Sequence, residues 1–128
     1  MANSEVLIDT SIIIDFLRKK DKRKSIFWEV INTYECSISA VTHFELFCGA
    51  NTVEKTEDLN KIINLMNIID FSKEISSQIY TELKSRNKMV EFRDIFIAST
   101  SIEYNLPLVT LNKKHFNRIE HLELFDFK

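Results

Sequence analysis

The sequence has 128 residues, of which 45% are hydrophobic, 11% aromatic and 28% charged. This composition is ordinary for a globular protein, so we expect residues 1–128 to fold as a single domain. One glycine and one proline exclude collagen-like and linker-rich chains, and no apolar run approaches the roughly 18 residues of a membrane span. The net charge of −2 gives no general attraction to nucleic acid. The first ten residues lack a signal-peptide pattern, and we expect a cytoplasmic protein with no membrane association.

The two cysteines, Cys36 and Cys48, match no zinc or CxxC spacing. They are also too few for a disulfide scaffold. We therefore expect both to be buried thiols in a reducing compartment.

Short apolar runs alternate along the chain with longer segments of helical period. The strand candidates are residues 5–9, 36–39, 68–71, 107–110 and 122–125. The helix candidates are residues 11–20, 25–33, 40–50, 55–66, 73–87 and 92–104. This alternation predicts an α/β fold with a central, mostly parallel sheet of about five short strands and helices on both faces.

Two of these strands end in polar residues. In a parallel α/β sheet, ligands bind beyond the carboxyl ends of the strands, where the chain turns into the next helix. The first strand runs directly into a polar triplet, and the fourth ends in a polar segment of its own. The residues predicted to meet at this edge are Asp9, Thr10, Ser11, Thr110 and Asn112.

Three acids, Asp9, Glu45 and Asp94, stand among apolar neighbours. A carboxylate in such surroundings is costly to bury unless it is hydrogen-bonded, paired or bound to a metal. Small residues lie three or four positions away on the same helical faces as Glu45 and Asp94, which leaves room for an ion or a phosphate. If the three acids converge, their repulsion calls for a divalent cation, and oxygen ligands favour Mg²⁺ or Mn²⁺ over zinc.

Simpler roles remain open for each acid. Asp9 or Thr10 could cap the helix that follows. Asp94 could be a first-turn acid favoured by the helix dipole, and Glu45 could be exposed or paired with a base. No local spacing links the three, so their convergence depends on the fold.

Bases gather in residues 18–24, which contain six basic side chains and one acid. Such a run is often a solvated helix end and loop. It is also compatible with a phosphate backbone bound nearby.

Four sequence blocks in order resemble the PIN-domain ribonucleases, and within them the VapC-type toxins of type II toxin–antitoxin pairs. The first is an aliphatic strand ending in Asp9-Thr10-Ser11, followed by an aliphatic helix. The second carries Glu45-Leu46 with Gly49 soon after, and the third is Asp94 followed by an Ile-Ala helix. The fourth is the Leu-Pro-Leu-Val-Thr-x-Asn run at residues 106–112. The resemblance covers nearly the whole chain.

The resemblance implies a Mg²⁺-dependent endoribonuclease, with Mn²⁺ as a substitute. It implies that Asp9 and Asp94 ligate the metal and that Glu45 ligates it or orients its water. The groups that support the carboxylates or the scissile phosphate would be Thr10, Ser11, Thr110 and Asn112. Of these, Thr110 and Asn112 would also be catalytic, together with the three acids. RNA phosphates would be held by Lys19, Lys20, Lys22, Arg23, Lys24, Arg93, Lys113 and Lys114. Where many relatives have a fourth acid, this sequence has only Asn112 and His115.

The same resemblance implies two protein partners. A VapB-type antitoxin would lie across the active site and insert a competing side chain, and a second copy of the chain would form a homodimer. We expect no DNA binding by this chain alone.

Two other classes of protein compete with the nuclease. A phosphoaspartyl phosphotransferase would normally have an acid where Ser11 stands, and a receiver domain would have an acidic pair near Asp9. The stronger rival is a PIN-like module that binds RNA or an antitoxin with little catalysis, since the fourth acid is missing.

Overall fold

A computed structural model describes residues 4–127 and confirms the α/β fold. Its four-stranded sheet is parallel throughout, in the order β3-β2-β1-β4. The strands are β1 (Glu5–Ile8), β2 (Glu35–Ser39), β3 (Asn67–Ile69) and β4 (Leu108–Val109). The helices are α1 (Thr10–Arg18), α2 (Ile26–Ile31), α3 (Ala40–Gly49), α4 (Val53–Ile63), α5 (Lys73–Ser85), α6 (Phe92–Tyr104) and α7 (Lys113–Phe116), with a 3-10 turn at Lys22–Lys24. Within residues 4–127, no helix is long and apolar enough to cross a membrane.

Strand β1 lies in the middle of the sheet. It pairs with β2 through Val6 and Cys36 and with β4 through Leu7 and Leu108. Because successive side chains of a strand point to opposite faces, Val6 packs into one hydrophobic core and Leu7 into the other. Helices cover both faces, which explains why the strands are continuous apolar runs instead of alternating ones.

The predicted fifth strand at residues 122–125 is reduced to a single parallel bridge between Leu124 and Leu108. Two backbone hydrogen bonds hold it there, from Leu108 N–H to Glu123 and from Phe125 N–H to Leu108. The segment therefore lies beside β4, as the alternation predicts, but pairs over too short a length to form a regular strand.

The expectation for the cysteines is half wrong. Cys36 is buried in β2, where burial raises the pKa of its thiol to about 12, whereas Cys48 is exposed. Cys48 lies four residues after the exposed Phe44 on one face of α3, while Thr42 and Leu46 form the buried face. Residues four apart share a helical face, so an inward Leu46 places Cys48 outward.

Three carboxyl-terminal strand ends reach the same edge of the sheet. β1 leads into Asp9, β2 leads through Ser39 into α3, and β4 leads into Thr110. The Ser39 side chain accepts a hydrogen bond from Val41 N–H and so fixes the start of α3. Helix α6 packs against α3, which brings its first turn to this edge as well.

Candidate active site

Asp9 is held by hydroxyl groups from two directions. Its carboxylate is fully buried, and Oδ2 accepts hydrogen bonds from Thr110 Oγ1 at 2.7 Å and Ser11 Oγ at 2.8 Å. Asp9 stands at the N-cap position of α1, but its side chain makes no capping hydrogen bond. Capping therefore does not explain this acid, and its carboxylate is directed into the site.

Glu45 projects from α3 toward the start of α1. Thr10 Oγ1 donates to Glu45 Oε1 at 2.7 Å and also lies 3.1 Å from Thr42 Oγ1. Burial alone would raise the pKa of Glu45, but hydrogen bonds from Arg93 and Thr10 and the charge of Arg93 hold it below its usual range. Glu45 is therefore an ionised, oriented carboxylate in this structure.

Asp94 lies in the first turn of α6 and its side chain is 2% exposed. Burial raises the pKa of Asp94 above its usual range, and the positive charge of Arg93 offsets part of this effect. His115 of α7 approaches the same carboxylate, with Nδ1 3.7 Å from Asp94 Oδ2.

Arg93 joins the three acids. Its guanidinium contacts Glu45 Oε2 from Nε at 2.6 Å, Asp94 Oδ1 from Nη1 at 2.5 Å and Asp9 Oδ1 from Nη2 at 3.2 Å. The sequence placed Arg93 with the RNA-binding bases, whereas the structure places it at the centre of the acidic cluster. The available sequence signal was its position beside Asp94, because three converging acids require a nearby cation.

The donor chemistry of this cluster fits a Mg²⁺ or Mn²⁺ ion. Carboxylate and hydroxyl oxygens are the ligands such ions take. Three carboxylates against one guanidinium leave two formal negative charges in a site where Asp9 and Asp94 are buried. Arg93 lies between the three acids, and across residues 4–127 no three His, Cys, Asp or Glu side chains are grouped closely enough to hold an ion as they stand.

Of the predicted supporting residues, Thr10, Ser11 and Thr110 contact the acids directly. Asn112 does not join them: its side chain is exposed and its backbone N–H donates to Thr110 Oγ1 at 3.0 Å. His115, and not Asn112, approaches one of the three acids, with Nδ1 3.7 Å from Asp94 Oδ2.

The predicted RNA-binding bases fall into two groups. Those at residues 19–24 follow the far end of α1, about 15 Å along the helix axis from Asp9 at 1.5 Å per residue. Among them, Lys19 pairs with Asp15 at 3.4 Å, and Lys22 Nζ donates to the carbonyls of Phe16 and Leu17. Lys113 and Lys114 are closer to the site and line an open groove of about 500 Å³ with Thr110 and His115.

Comparisons with known proteins agree with this fold. The PIN domain model matches residues 6–122. Ribonuclease VapC1 of Methanocaldococcus jannaschii is 34% identical in an alignment that covers 96% of this chain and 88% of that protein. Ribonuclease VapC of Rickettsia bellii is 30% identical in an alignment that covers 93% of each chain.

A solved structure gives the same result. A chain in the crystal structure of VapBC2 from Rickettsia felis, bound to a DNA fragment from their promoter, superposes with a TM-score of 0.84 at 26% identity. The match covers 97% of this chain and 99% of that one. The protein described here therefore belongs to the PIN-domain family. Its relatives within that family are VapC ribonucleases, as the four sequence blocks indicate.

Proposed function

We propose that this protein is a Mg²⁺-dependent endoribonuclease that hydrolyses RNA phosphodiester bonds as the toxin of a toxin–antitoxin pair. The observation that carries the proposal is the convergence of Asp9, Glu45 and Asp94 at the carboxyl edge of a PIN-domain sheet. Its similarity to proteins named VapC ribonucleases supports the same activity.

Each site residue has a defined part in this proposal. Asp9 and Asp94 hold the metal, and Glu45 holds it or orients the attacking water. When bound, Mg²⁺ supplies Lewis-acid chemistry toward the phosphate and makes water a better nucleophile. Thr110 and Ser11 direct Asp9 Oδ2, and Thr10 directs Glu45, so the carboxylates meet the ion in fixed orientations.

RNA binding in this proposal depends on bases near an otherwise acidic pocket. Lys113 and Lys114 border the groove beside Thr110 and suit phosphates next to the scissile bond. The bases at residues 19–24 suit nucleotides farther along the strand. We extend the proposal to a VapB-type antitoxin that covers the site, since the structural neighbour was solved as a VapBC complex. The proposal also includes the homodimer that the family resemblance implies.

The test is RNA cleavage by the purified chain, freed of any bound partner, with Mg²⁺ or Mn²⁺ and with EDTA. Asp94→Asn removes a buried metal ligand. The matched control is Asp70→Asn, which changes an exposed aspartate just beyond β3 at the same edge of the sheet. We expect discrete cuts that disappear with EDTA and in Asp94→Asn and persist in Asp70→Asn. Intact RNA in the presence of bound metal would refute the nuclease.

The toxin role has its own readout. Expression of the chain should arrest the growth of the host cells. Co-expression of the proposed VapB-type antitoxin should restore that growth. Size-exclusion chromatography with light scattering tests the homodimer.

A second candidate is a PIN-like binding module with little catalysis, which the position of Arg93 favours. A guanidinium lies among the three acids in this structure. The sequence also lacks the fourth acid that the resemblance to the family implies. If the folded, metal-loaded protein binds RNA but never cuts it, the result would favour the binding module over the nuclease.

A further inference from the structure

The guanidinium of Arg93 donates hydrogen bonds to all three acids at once. Each of its three nitrogen atoms bonds a different carboxylate: Nε bonds Glu45, Nη1 bonds Asp94 and Nη2 bonds Asp9. Nη2 also lies 2.9 Å from Glu45 Oε1 and 3.2 Å from Thr10 Oγ1. Arg93 therefore makes the contacts expected of a cation bound at the centre of the three acids.

A divalent metal and this guanidinium are mutually exclusive. Mg²⁺ takes oxygen ligands at about 2.0–2.1 Å. The guanidinium nitrogens already stand 2.5–3.2 Å from one oxygen of each carboxylate, so a metal drawn to those oxygens would overlap with them. The positive charges of the two cations would also repel each other at that distance.

Arg93 has a place to move to. Its side chain is 25% exposed and lines an open groove of about 400 Å³ together with Phe44, Phe71 and Phe96. Phe71 and Phe96 are stacked, with ring centroids 4.3 Å apart, and aromatic faces of this kind bind a guanidinium favourably. A rotation about the side-chain bonds of Arg93 would therefore carry the charge from the acids to the groove without unfolding α6.

We propose that Arg93 is a built-in counterion that occupies the metal position in the metal-free protein and must be displaced by the divalent cation. This inference rests on the metal site proposed above. In the metal-free state Arg93 holds three mutually repelling carboxylates together, two of them buried. In the same state it blocks the ion, and the apparent Kd for the metal equals the intrinsic Kd divided by the fraction of molecules in which the site is open.

One substitution should therefore have two opposite effects. Removing the Arg93 charge should lower the stability of the metal-free protein and, at the same time, tighten metal binding. If Arg93 only positions the carboxylates, the result should differ. Its loss should then weaken both the stability of the protein and its metal binding. The sign of the change in metal affinity separates the two roles.

The experiment measures binding of Mn²⁺ by electron paramagnetic resonance and of Mg²⁺ by calorimetry on the full chain, without RNA. The variants are Arg93→Gln and Arg93→Ala. The matched control is Arg86→Gln, since Arg86 is similarly exposed, at 32%, and pairs with Glu82 and Glu120 away from the site. Melting temperatures are recorded in EDTA and in saturating Mn²⁺, and circular dichroism checks the fold of each variant.

We expect Arg93→Gln to bind both ions about tenfold more tightly or better and to melt earlier in EDTA, with a larger rise on adding Mn²⁺. Arg93→Ala should behave in the same way, and Arg86→Gln should bind metal as the wild type does. Unchanged or weaker metal binding in a folded Arg93 variant, with wild-type binding intact, would overturn the role of Arg93 alone. If neither the wild type nor the Arg93 variants bind a divalent ion, the result refutes the proposed metal site as well.

Discussion

The hydroxyl of Thr110 is the most direct test of how Asp9 is held. Thr110 is fully buried, donates to Asp9 Oδ2 at 2.7 Å and accepts from Asn112 N–H at 3.0 Å. Thr110→Val replaces the hydroxyl with a methyl group of similar size. The change therefore removes two hydrogen bonds with little effect on packing.

The expected cost follows from the charge of the acceptor. A hydrogen bond to a charged group contributes about 1.5–3 kcal/mol to stability, and the N–H of the exposed Asn112 adds little because water replaces its acceptor. We expect the free energy of unfolding to fall by about 2–3 kcal/mol in total. For 128 residues at about 2.1 cal/mol/K per residue, this lowers the melting temperature by about 7–11 °C.

Thermal and urea unfolding in EDTA measure this cost, with Thr100→Val as the control. Thr100 is equally buried, but its hydroxyl donates to the neutral carbonyl of Phe96 at 2.9 Å. That bond contributes about 1 kcal/mol, or about 4 °C. If Thr110→Val loses no more stability than Thr100→Val, Thr110 does not stabilise an ionised Asp9 and the reasoning fails.

Four further outcomes are expected. Phe116→Ala, which empties a fully buried position in the core beside β4, should cost about 3–5 kcal/mol in urea unfolding, and a loss below about 1 kcal/mol would contradict that packing. Asn105 ends α6 with φ 54° and ψ 48°, so Asn105→Val should be less stable than Asn105→Gly by about 1–2 kcal/mol in urea unfolding, and equal stability would contradict this strain. In native protein at about pH 8, Ellman's reagent should modify Cys48 and leave Cys36 unreacted, because the thiolate is the reactive form. Since the pKa of Cys36 rises from 9.0 to about 12 on folding, the free energy of unfolding should also fall as pH increases between those values, and a flat profile would contradict this.

The position of the site could be predicted from the sequence because it follows from the path of the backbone. Apolar runs located β1 and β4, and a parallel sheet brings Asp9 and Thr110 to one edge although they are 101 residues apart. These features depend on short-range patterns and on one general rule of sheet topology.

The orientation of long side chains could not be predicted in this way. Arg93 looked like another surface base, and only the structure reveals its three carboxylate partners. Asn112 was chosen for its position after β4, yet the short helix α7 turns its side chain outward and brings His115 toward Asp94. These outcomes depend on tertiary packing, which local sequence patterns do not encode.

The central position of β1 has a consequence for how the protein is made. β1 is synthesised about a hundred residues before β4, one of its two neighbours in the sheet. At 5–20 residues per second, about 5–20 s separate synthesis of Asp9 from that of its hydroxyl partner Thr110. During that interval the nascent chain carries Asp9 without a complete site around it. The site therefore forms only after β4 and Thr110 have been synthesised, about a hundred residues after Asp9.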